Sequence, residues 1–123
     1  MIGYVTFGTN DLDRAVAFYD ELLAVLGAKR VLEDPDHFVA FSTAPDKPAL
    51  SVTKPFDGKA ATHGNGTMVA LMVDSKDLVH EVYDKAIALG AQDEGGPGPR
   101  IDNFYAAYFR DLDGNKLNVF TTA

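Results

Sequence analysis

The sequence contains no cysteine, and this absence excludes disulfide bonds, thiolate nucleophiles and zinc sites built on sulfur. It also contains no apolar run near the roughly 20 residues that are needed to cross a bilayer. The N-terminal stretch MIGYVTFGTND has neither the basic flank nor the small-residue cleavage site of a signal peptide. We therefore expect a soluble, cytoplasmic protein with no membrane partner.

Basic residues are scarce, since 11 Lys and Arg stand against 18 Asp and Glu, and the net charge is −7. No Lys/Arg cluster stands out, so binding to the phosphate backbone of a nucleic acid is disfavoured. A small neutral or cationic molecule fits this charge balance better. The 123 residues, 46% of them hydrophobic, are enough for one compact core, and we expect a single domain over residues 1–123.

The first 55 residues have the pattern of a β-α-β-β-β module. A strand-like run begins at Ile2, and Thr9 and Asn10 supply side chains that can cap the helix after it. Apolar residues then recur at helical spacing over 12–26, and Gly27 stands where a left-handed helix end belongs. Three further strand-like runs, KRVLE, FVAFST and ALSVTK, are separated by the turn-forming stretches DPDH and APDKP.

The same order returns after a linker at residues 56–66, so that residues 67–123 form a second module. TMVALMVD repeats the first strand, Ser75 or Asp77 opens a helix, and Gly90 closes it. The stretch GGPGPRIDN is predicted to be a flexible excursion and not a strand, because glycine and proline interrupt it. The stretch YFRDLDGNKLNVF predicts a closing hairpin that turns at residues 113–115.

Two motifs in this duplicated frame resemble the vicinal oxygen chelate superfamily, which includes glyoxalase I, bleomycin resistance proteins and extradiol dioxygenases. NDLDRAVAFYDELL is similar to that superfamily's first helix, and RDLDGNKLNVF is similar to its closing hairpin, with Leu112 in place of the usual proline. The resemblance covers the whole chain. It implies an α+β fold in which two β-α-β-β-β modules form a cupped, incompletely closed mixed sheet, with a ligand cleft on the concave side and commonly a homodimer.

In metal-dependent members of that superfamily, four side chains from the first and fourth strands of the two modules hold a divalent ion. The resemblance places Tyr4, Ser51, Met68 and Asn118 at those positions. All four are neutral at pH 7, whereas such a site needs imidazole nitrogens and carboxylates. We therefore expect no metal and no other cofactor. The alternative is a non-standard divalent site that recruits His63 or an acidic side chain.

Strand alternation extends this set to neighbours that face the same way. Placing Phe109 opposite Asn118 across the hairpin turn adds further residues of its strand to the same face. The residues predicted to line the cleft with the four positions above are Thr6, Ala70, Met72, Tyr105, Ala107, Phe109 and Phe120. This lining suits a partly apolar molecule that is oriented by hydrogen bonds.

Further ligand-binding candidates lie in two glycine-containing segments. His63 and Asn65 lie in THGNGT, whose glycines let backbone amides approach a ligand, although a pure linker role is the alternative for His63. Arg100 follows a glycine-proline run and could clamp a carboxylate or a phosphate. Arg110 is predicted to point away from the cleft and to pair with carboxylates, and His80 is predicted to be a solvated surface residue.

These features favour a small-molecule binding protein similar to the glyoxalase and bleomycin resistance group, acting without a metal as a homodimer. The alternative is a lyase or isomerase resembling glyoxalase I. Such an enzyme would use a non-standard metal site, or a tyrosine as acid and base with no cofactor. The sequence leaves open whether the protein is an enzyme, since the same fold serves all of these functions.

Overall fold

The computed structural model describes residues 1–123 and falls into two compact units, Met1–His63 and Gly64–Ala123, each of which is described by itself. The elements of the first unit are β1 (Tyr4–Gly8), α1 (Leu12–Ala24), β2 (Lys29–Asp34), β3 (Phe38–Ser42) and β4 (Ala49–Thr53). Those of the second unit are β5 (Val69–Met72), α2 (Lys76–Ala88), β6 (Gln92–Pro99), β7 (Tyr105–Arg110) and β8 (Lys116–Thr121). The predicted α+β class and the repeated β-α-β-β-β order are confirmed.

The first unit is a four-stranded mixed sheet covered on one face by α1. Its strand order is β1-β4-β3-β2, with β1 parallel to β4 and the other neighbours antiparallel. Tyr19 of α1 is buried against Phe7 and Phe41, with ring centres 6.4 Å apart in both pairs. Leu22, one turn further along α1, is fully buried. Because strand side chains alternate, the residues between these core positions point to the other, helix-free face.

Helix α1 begins at Leu12, but its cap differs from the prediction. The Asp11 carboxylate accepts the Arg14 backbone N–H at 3.1 Å. The Thr9 hydroxyl instead accepts the backbone N–H of Asp11, which precedes the helix, at 3.0 Å. Asp11 is therefore the N-cap. The helix ends at Ala24, two residues before the predicted end, and Gly27 has the positive φ of 76° expected for it.

The second unit repeats this architecture with the strand order β5-β8-β7-β6, in which β5 is parallel to β8. Helix α2 is capped by Ser75, whose hydroxyl accepts the backbone N–H of Leu78 at 3.2 Å. Val79, Val82 and Ala86 of α2 are fully buried, so this helix covers one face of its sheet as α1 covers the first. Neither helix is long and apolar enough to cross a membrane.

The closing hairpin turns around a buried carboxylate. Asp111 accepts the backbone N–H groups of Asp113 and Asn115, both at 2.9 Å, and the side-chain amide of Asn115 at 3.0 Å. Gly114, between Asp113 and Asn115, has a φ of 87°, a conformation that favours glycine. The predicted turn is confirmed, and these bonds explain why Asp, Gly and Asn are needed there.

The predicted register of this hairpin is wrong by one residue. Tyr108, and not Phe109, pairs with Asn118, while Phe109 pairs with Leu117. The loop between the last paired residues spans 111–115, and an error of one residue in a loop's length sends every side chain of one strand to the opposite face. Phe109 is accordingly fully buried on the side covered by α2.

The prediction that GGPGPRIDN is a loop is also wrong for its first half. Residues 95–99 belong to β6, which pairs antiparallel with β7 and carries two register irregularities, between Asp93 and Gly95 and between Gly95 and Gly98. Because β6 is the last strand of its sheet, Pro97 and Pro99 interrupt the ladder on one side only. Bulges and prolines are typical of such edge strands.

Candidate functional site

The helix-free face of the first sheet carries a cavity of about 420 Å³. Three of the residues predicted to bind a ligand, Tyr4, Thr6 and Ser51, line it together. The apolar part of its wall consists of Val31, Leu32, Phe38, Pro45, Ala40 and Ala49. The cavity lies entirely within the first unit.

Strand register explains how one wall of this cavity becomes polar and the other apolar. Thr6 pairs with Ser51, Ser51 with Ala40, and Ala40 with Leu32, so these four residues form one row across β1, β4, β3 and β2. The row changes from hydroxyl to hydrocarbon along its length. A ligand lying along it would meet hydrogen-bonding groups at one end and apolar surface at the other.

The hydroxyls of Tyr4, Thr6 and Ser51 form no hydrogen bond with the protein. Two other hydroxyls of the same wall are already bonded, since Ser42 donates to the carbonyl of Ala44 at 2.8 Å and Thr53 donates to that of Lys54 at 2.9 Å. A hydroxyl can both donate and accept. The cavity therefore offers three hydroxyls that can each donate to or accept from an occupant.

Sequence reasoning missed the apolar wall and Lys47, the one charged side chain at the cavity. None of the predicted ligand positions lies on β2 or β3, because the family resemblance points to the first and fourth strands of each module. Alternation along β3 would have placed Phe38 and Ala40 on the helix-free face with Ser51. Lys47 lies in the turn before β4, where the sequence carries no signal for the direction of its side chain.

On the second sheet, the pairing of Ala70 with Asn118 and of Met72 with Phe120 supports the predicted common face of these four residues. Met68 lies one residue before β5 and is 42% exposed. Asn118 is only 1% exposed, and its side-chain N–H donates to the carbonyl of Ala107 at 3.1 Å. Its Oδ1 is buried and has no hydrogen-bond partner. A buried acceptor without a donor is costly and rare in native proteins.

Tyr105 and Phe109 do not share that face, so their predicted place in the lining, and that of Ala107, is wrong. All three follow the register of Leu117 and Val119 toward the side covered by α2. The Tyr105 hydroxyl lies 2.7 Å from Nε2 of His80 on that helix. His80 is exposed, as predicted, but this contact gives it a partner within the protein.

The remaining candidates lie elsewhere. His63 and Asn65 are exposed, in the segment between β4 and β5, and neither lines the cavity of the first sheet. Arg110 pairs with Glu94 at 2.7 Å, as predicted, but it shares the helix-free face with Tyr108 and does not point away from it. Arg100 is anchored by carbonyls of the preceding strand β6, the nearest at 2.9 Å.

The side chains of Tyr4, Ser51, Met68 and Asn118, at the positions where the family resemblance implies a divalent ion, do not have the chemistry to hold one. A phenol, an aliphatic hydroxyl, a thioether and an amide provide no imidazole and no carboxylate. The side-chain N–H of Asn118 already donates to the backbone carbonyl of Ala107. No group of three or more His, Asp or Glu side chains in the chain is arranged to hold a metal ion.

Comparison with known proteins matches residues 1–119 to the profile of the glyoxalase/bleomycin resistance protein/dioxygenase superfamily. A glyoxalase/bleomycin resistance protein from Albidiferax ferrireducens has 33% identity and a TM-score of 0.89, with 98% of each chain covered. A family enzyme from Burkholderia phytofirmans has 22% identity and a TM-score of 0.78, also over 98% of each chain. A lactoylglutathione lyase from Agrobacterium tumefaciens has 25% identity and a TM-score of 0.72, covering 98% of this chain and 92% of that one. No curated protein matches the chain.

Proposed function

The chain belongs to the glyoxalase/bleomycin resistance protein/dioxygenase superfamily, and on that premise we propose that it binds a small, partly apolar molecule without a metal ion. The observation that carries this proposal is the cavity of about 420 Å³ on the first sheet, with three hydroxyls that the protein leaves unbonded. Its size is within the range of small-molecule sites, which are roughly 300–1,000 Å³.

The chemistry of the wall indicates what kind of molecule would fit. Leu32 and Phe38 offer apolar surface to a hydrocarbon or aromatic part of the ligand. Thr6 and Ser51 would bond to a carbonyl, hydroxyl or amide at the other end. Lys47 at the cavity favours an acceptor over a cation near its ammonium group. The hydrogen bonds would orient the molecule, and burial of its apolar part would supply most of the affinity.

The absence of a metal from the proposal rests on donor chemistry. A divalent ion in proteins is held by carboxylates, imidazoles or several hard oxygens, and the cavity wall has no carboxylate and no imidazole. Met68 replaces a hard ligand by a soft thioether at one of the family positions.

The alternative is a lyase or isomerase, supported by the similarity to the lactoylglutathione lyase from Agrobacterium tumefaciens. With no carboxylate or imidazole in the wall, proton transfer would fall to Tyr4, a residue that is 71% exposed, or to Lys47. Turnover of a bound compound would support this alternative.

The proposal is tested by a thermal-shift screen of small molecules, performed with and without divalent metal ions. A compound that binds the folded state raises the melting temperature by mass action. For a compound found in this way, Tyr4→Phe and Ser51→Ala should reduce the shift, because each removes a hydroxyl from the cavity. Tyr83→Phe is the matched control, since it removes a hydroxyl that is bonded to Asp93 outside the cavity.

Equal shifts in all three variants would place the compound elsewhere and contradict the proposed site. Stabilisation that appears only when a divalent ion is added would contradict the metal-free proposal and favour the lyase alternative.

A further inference from the structure

Two cations converge on one tyrosine on the helix-free face of the second sheet. The guanidinium carbon of Arg100 lies 5.4 Å from the ring centre of Tyr108, and Nζ of Lys116 lies 5.5 Å from it. We call these three residues the tyrosine–cation cluster. Neither cation forms an ion pair, and the carboxylate of Glu94 on β6 is paired with Arg110. In a chain with a net charge of −7, two cations without carboxylate partners on one ring form an unusual local surplus.

Arg100 is held in place by the strand that precedes it. Its guanidinium donates to the carbonyls of Gly96 and Gly98, both at 2.9 Å, and of Pro99 at 3.3 Å. A guanidinium has five N–H donors in a fixed plane, so two donors remain after these three bonds. The group is therefore fixed before any ligand arrives, and it still has donors to offer.

The glycines of β6 make this arrangement sterically feasible. A Cβ atom at Gly95 would lie 3.3 Å from one guanidinium nitrogen of Arg100 and 3.4 Å from the ring of Tyr108, and one at Gly98 would lie 3.2 Å from the other nitrogen. Gly95 also has a φ of 148°, which L side chains rarely adopt. The run GGPGP is thus a cradle that lets the guanidinium lie close to the strand beside the ring.

A second observation on the same face points to a ligand. Asn118 pairs directly with Tyr108 and lies two residues after Lys116, so that all three side chains leave the sheet on one side. Asn118 is the residue whose Oδ1 is buried without a donor. This face therefore also holds one buried acceptor, Oδ1 of Asn118, that lacks an N–H or O–H donor.

We propose that the tyrosine–cation cluster binds a small organic oxyanion, either a carboxylate or a phosphate, that also carries a hydroxyl or amide donor. Arg100 and Lys116 contact the oxyanion, Tyr108 packs against the ligand, and Asn118 accepts its donor group. The site lies in the second unit and does not depend on the cavity of the first sheet.

The test is an NMR titration of the ¹⁵N-labelled protein at constant ionic strength, with acetate, glycolate and inorganic phosphate as probes. Glycolate differs from acetate by one hydroxyl, so it measures the acceptor of Asn118. We expect saturable shifts of the Gly95, Gly98 and Tyr108 amides, with glycolate binding more tightly than acetate. Preference for glycolate over phosphate would identify a carboxylate as the ligand class, and the reverse a phosphate.

Three variants examine the cluster itself. Arg100→Lys keeps the charge but loses the planar fork, Lys116→Gln removes one cation, and Gly98→Ala displaces the guanidinium without changing any charge. Each should weaken binding about 1.5- to fivefold, the usual range for one charged contact near a surface. Lys59→Gln removes an exposed lysine of the first unit and is the charge-matched control.

Linear shifts without saturation, or equal weakening by Lys59→Gln, would overturn the proposal, because general charge screening would then explain the effect. Equal affinity for acetate and glycolate would overturn the role of Asn118. Failure here would leave the proposed ligand cavity of the first sheet untouched, since none of these variants lies in it.

Discussion

Replacing Asn118 by leucine should leave the free energy of unfolding nearly unchanged or raise it, although Asn118 is 1% exposed and most buried substitutions destabilise. The reason is the state of its amide. The N–H group is bonded to the carbonyl of Ala107, but Oδ1 is buried and has no donor. The direction of the amide follows from this bond, because a carbonyl can only accept.

The magnitude follows from two opposing effects. Losing the bond to Ala107 costs about 1 kcal/mol, the net value of an ordinary hydrogen bond in a protein. Removing an acceptor that is desolvated without a partner regains about 1–3 kcal/mol. The expected change therefore lies between no change and a gain in stability of about 2 kcal/mol.

Asn115 is the matched control, because it is also a buried asparagine in the same hairpin. Its amide donates to the Asp111 carboxylate at 3.0 Å, so Asn115→Leu leaves a buried charge with one bond fewer and should cost about 1–3 kcal/mol. Urea unfolding of the parent and both variants, followed by circular dichroism, measures these changes. A loss above about 2 kcal/mol in Asn118→Leu would refute the argument, since it would mean that Oδ1 has a partner in the free protein.

Three further predictions concern metal, assembly and pH. The purified protein should contain no stoichiometric metal, and about one tightly held ion per chain in elemental analysis after dialysis would contradict this. The chain should be a homodimer in light scattering, because each sheet ends in two edge strands and unpaired edges are a liability, so a monomeric mass up to near-millimolar concentration would count against it. The backbone N–H of Gly95 and the hydroxyl of Tyr83 lower the pKa of Asp93 below its ordinary value of 3.8. Its stabilising effect is therefore present above that value and lost as the pH falls through the lowered pKa, so the melting temperatures of the parent and Asp93→Asn should diverge as the pH rises from strong acid and should not stay parallel.

The order of elements could be predicted from the sequence because it depends on local chemistry. Ser75 before an apolar helical pattern and Gly90 after it identify α2 with only nearby residues. The hairpin register depends on something else, the number of loop residues between Arg110 and Lys116, which the Asp-Gly-Asn signal does not determine. That one number decided whether Tyr108 or Phe109 would face the candidate site.

The prediction that the glycine-rich stretch is a loop was wrong for a different physical reason. Glycine and proline have low intrinsic strand propensity, so the local pattern predicts a loop. Pairing with β7 overrides that propensity, since β7 supplies a partner ladder and β6 needs it on one side only. The cradle for Arg100 could not be predicted for the same reason, because it requires the strand to exist.

The repeat itself explains why the first sheet has a cavity at a position where the second has a tyrosine. The central row of the first sheet consists of Thr6, Ser51, Ala40 and Leu32. The corresponding row of the second sheet consists of Ala70, Asn118, Tyr108 and Gly95. The third position of the row, on β3 in the first sheet and on β7 in the second, is therefore the small Ala40 in the first sheet and the large Tyr108 in the second. Ala40 leaves space over its sheet that an apolar ligand can occupy, whereas Tyr108 fills the equivalent position and, with glycine beside it, supports a cation. The two proposed binding sites therefore differ in chemistry on one duplicated backbone, because substitutions in equivalent rows change where the large side chain lies.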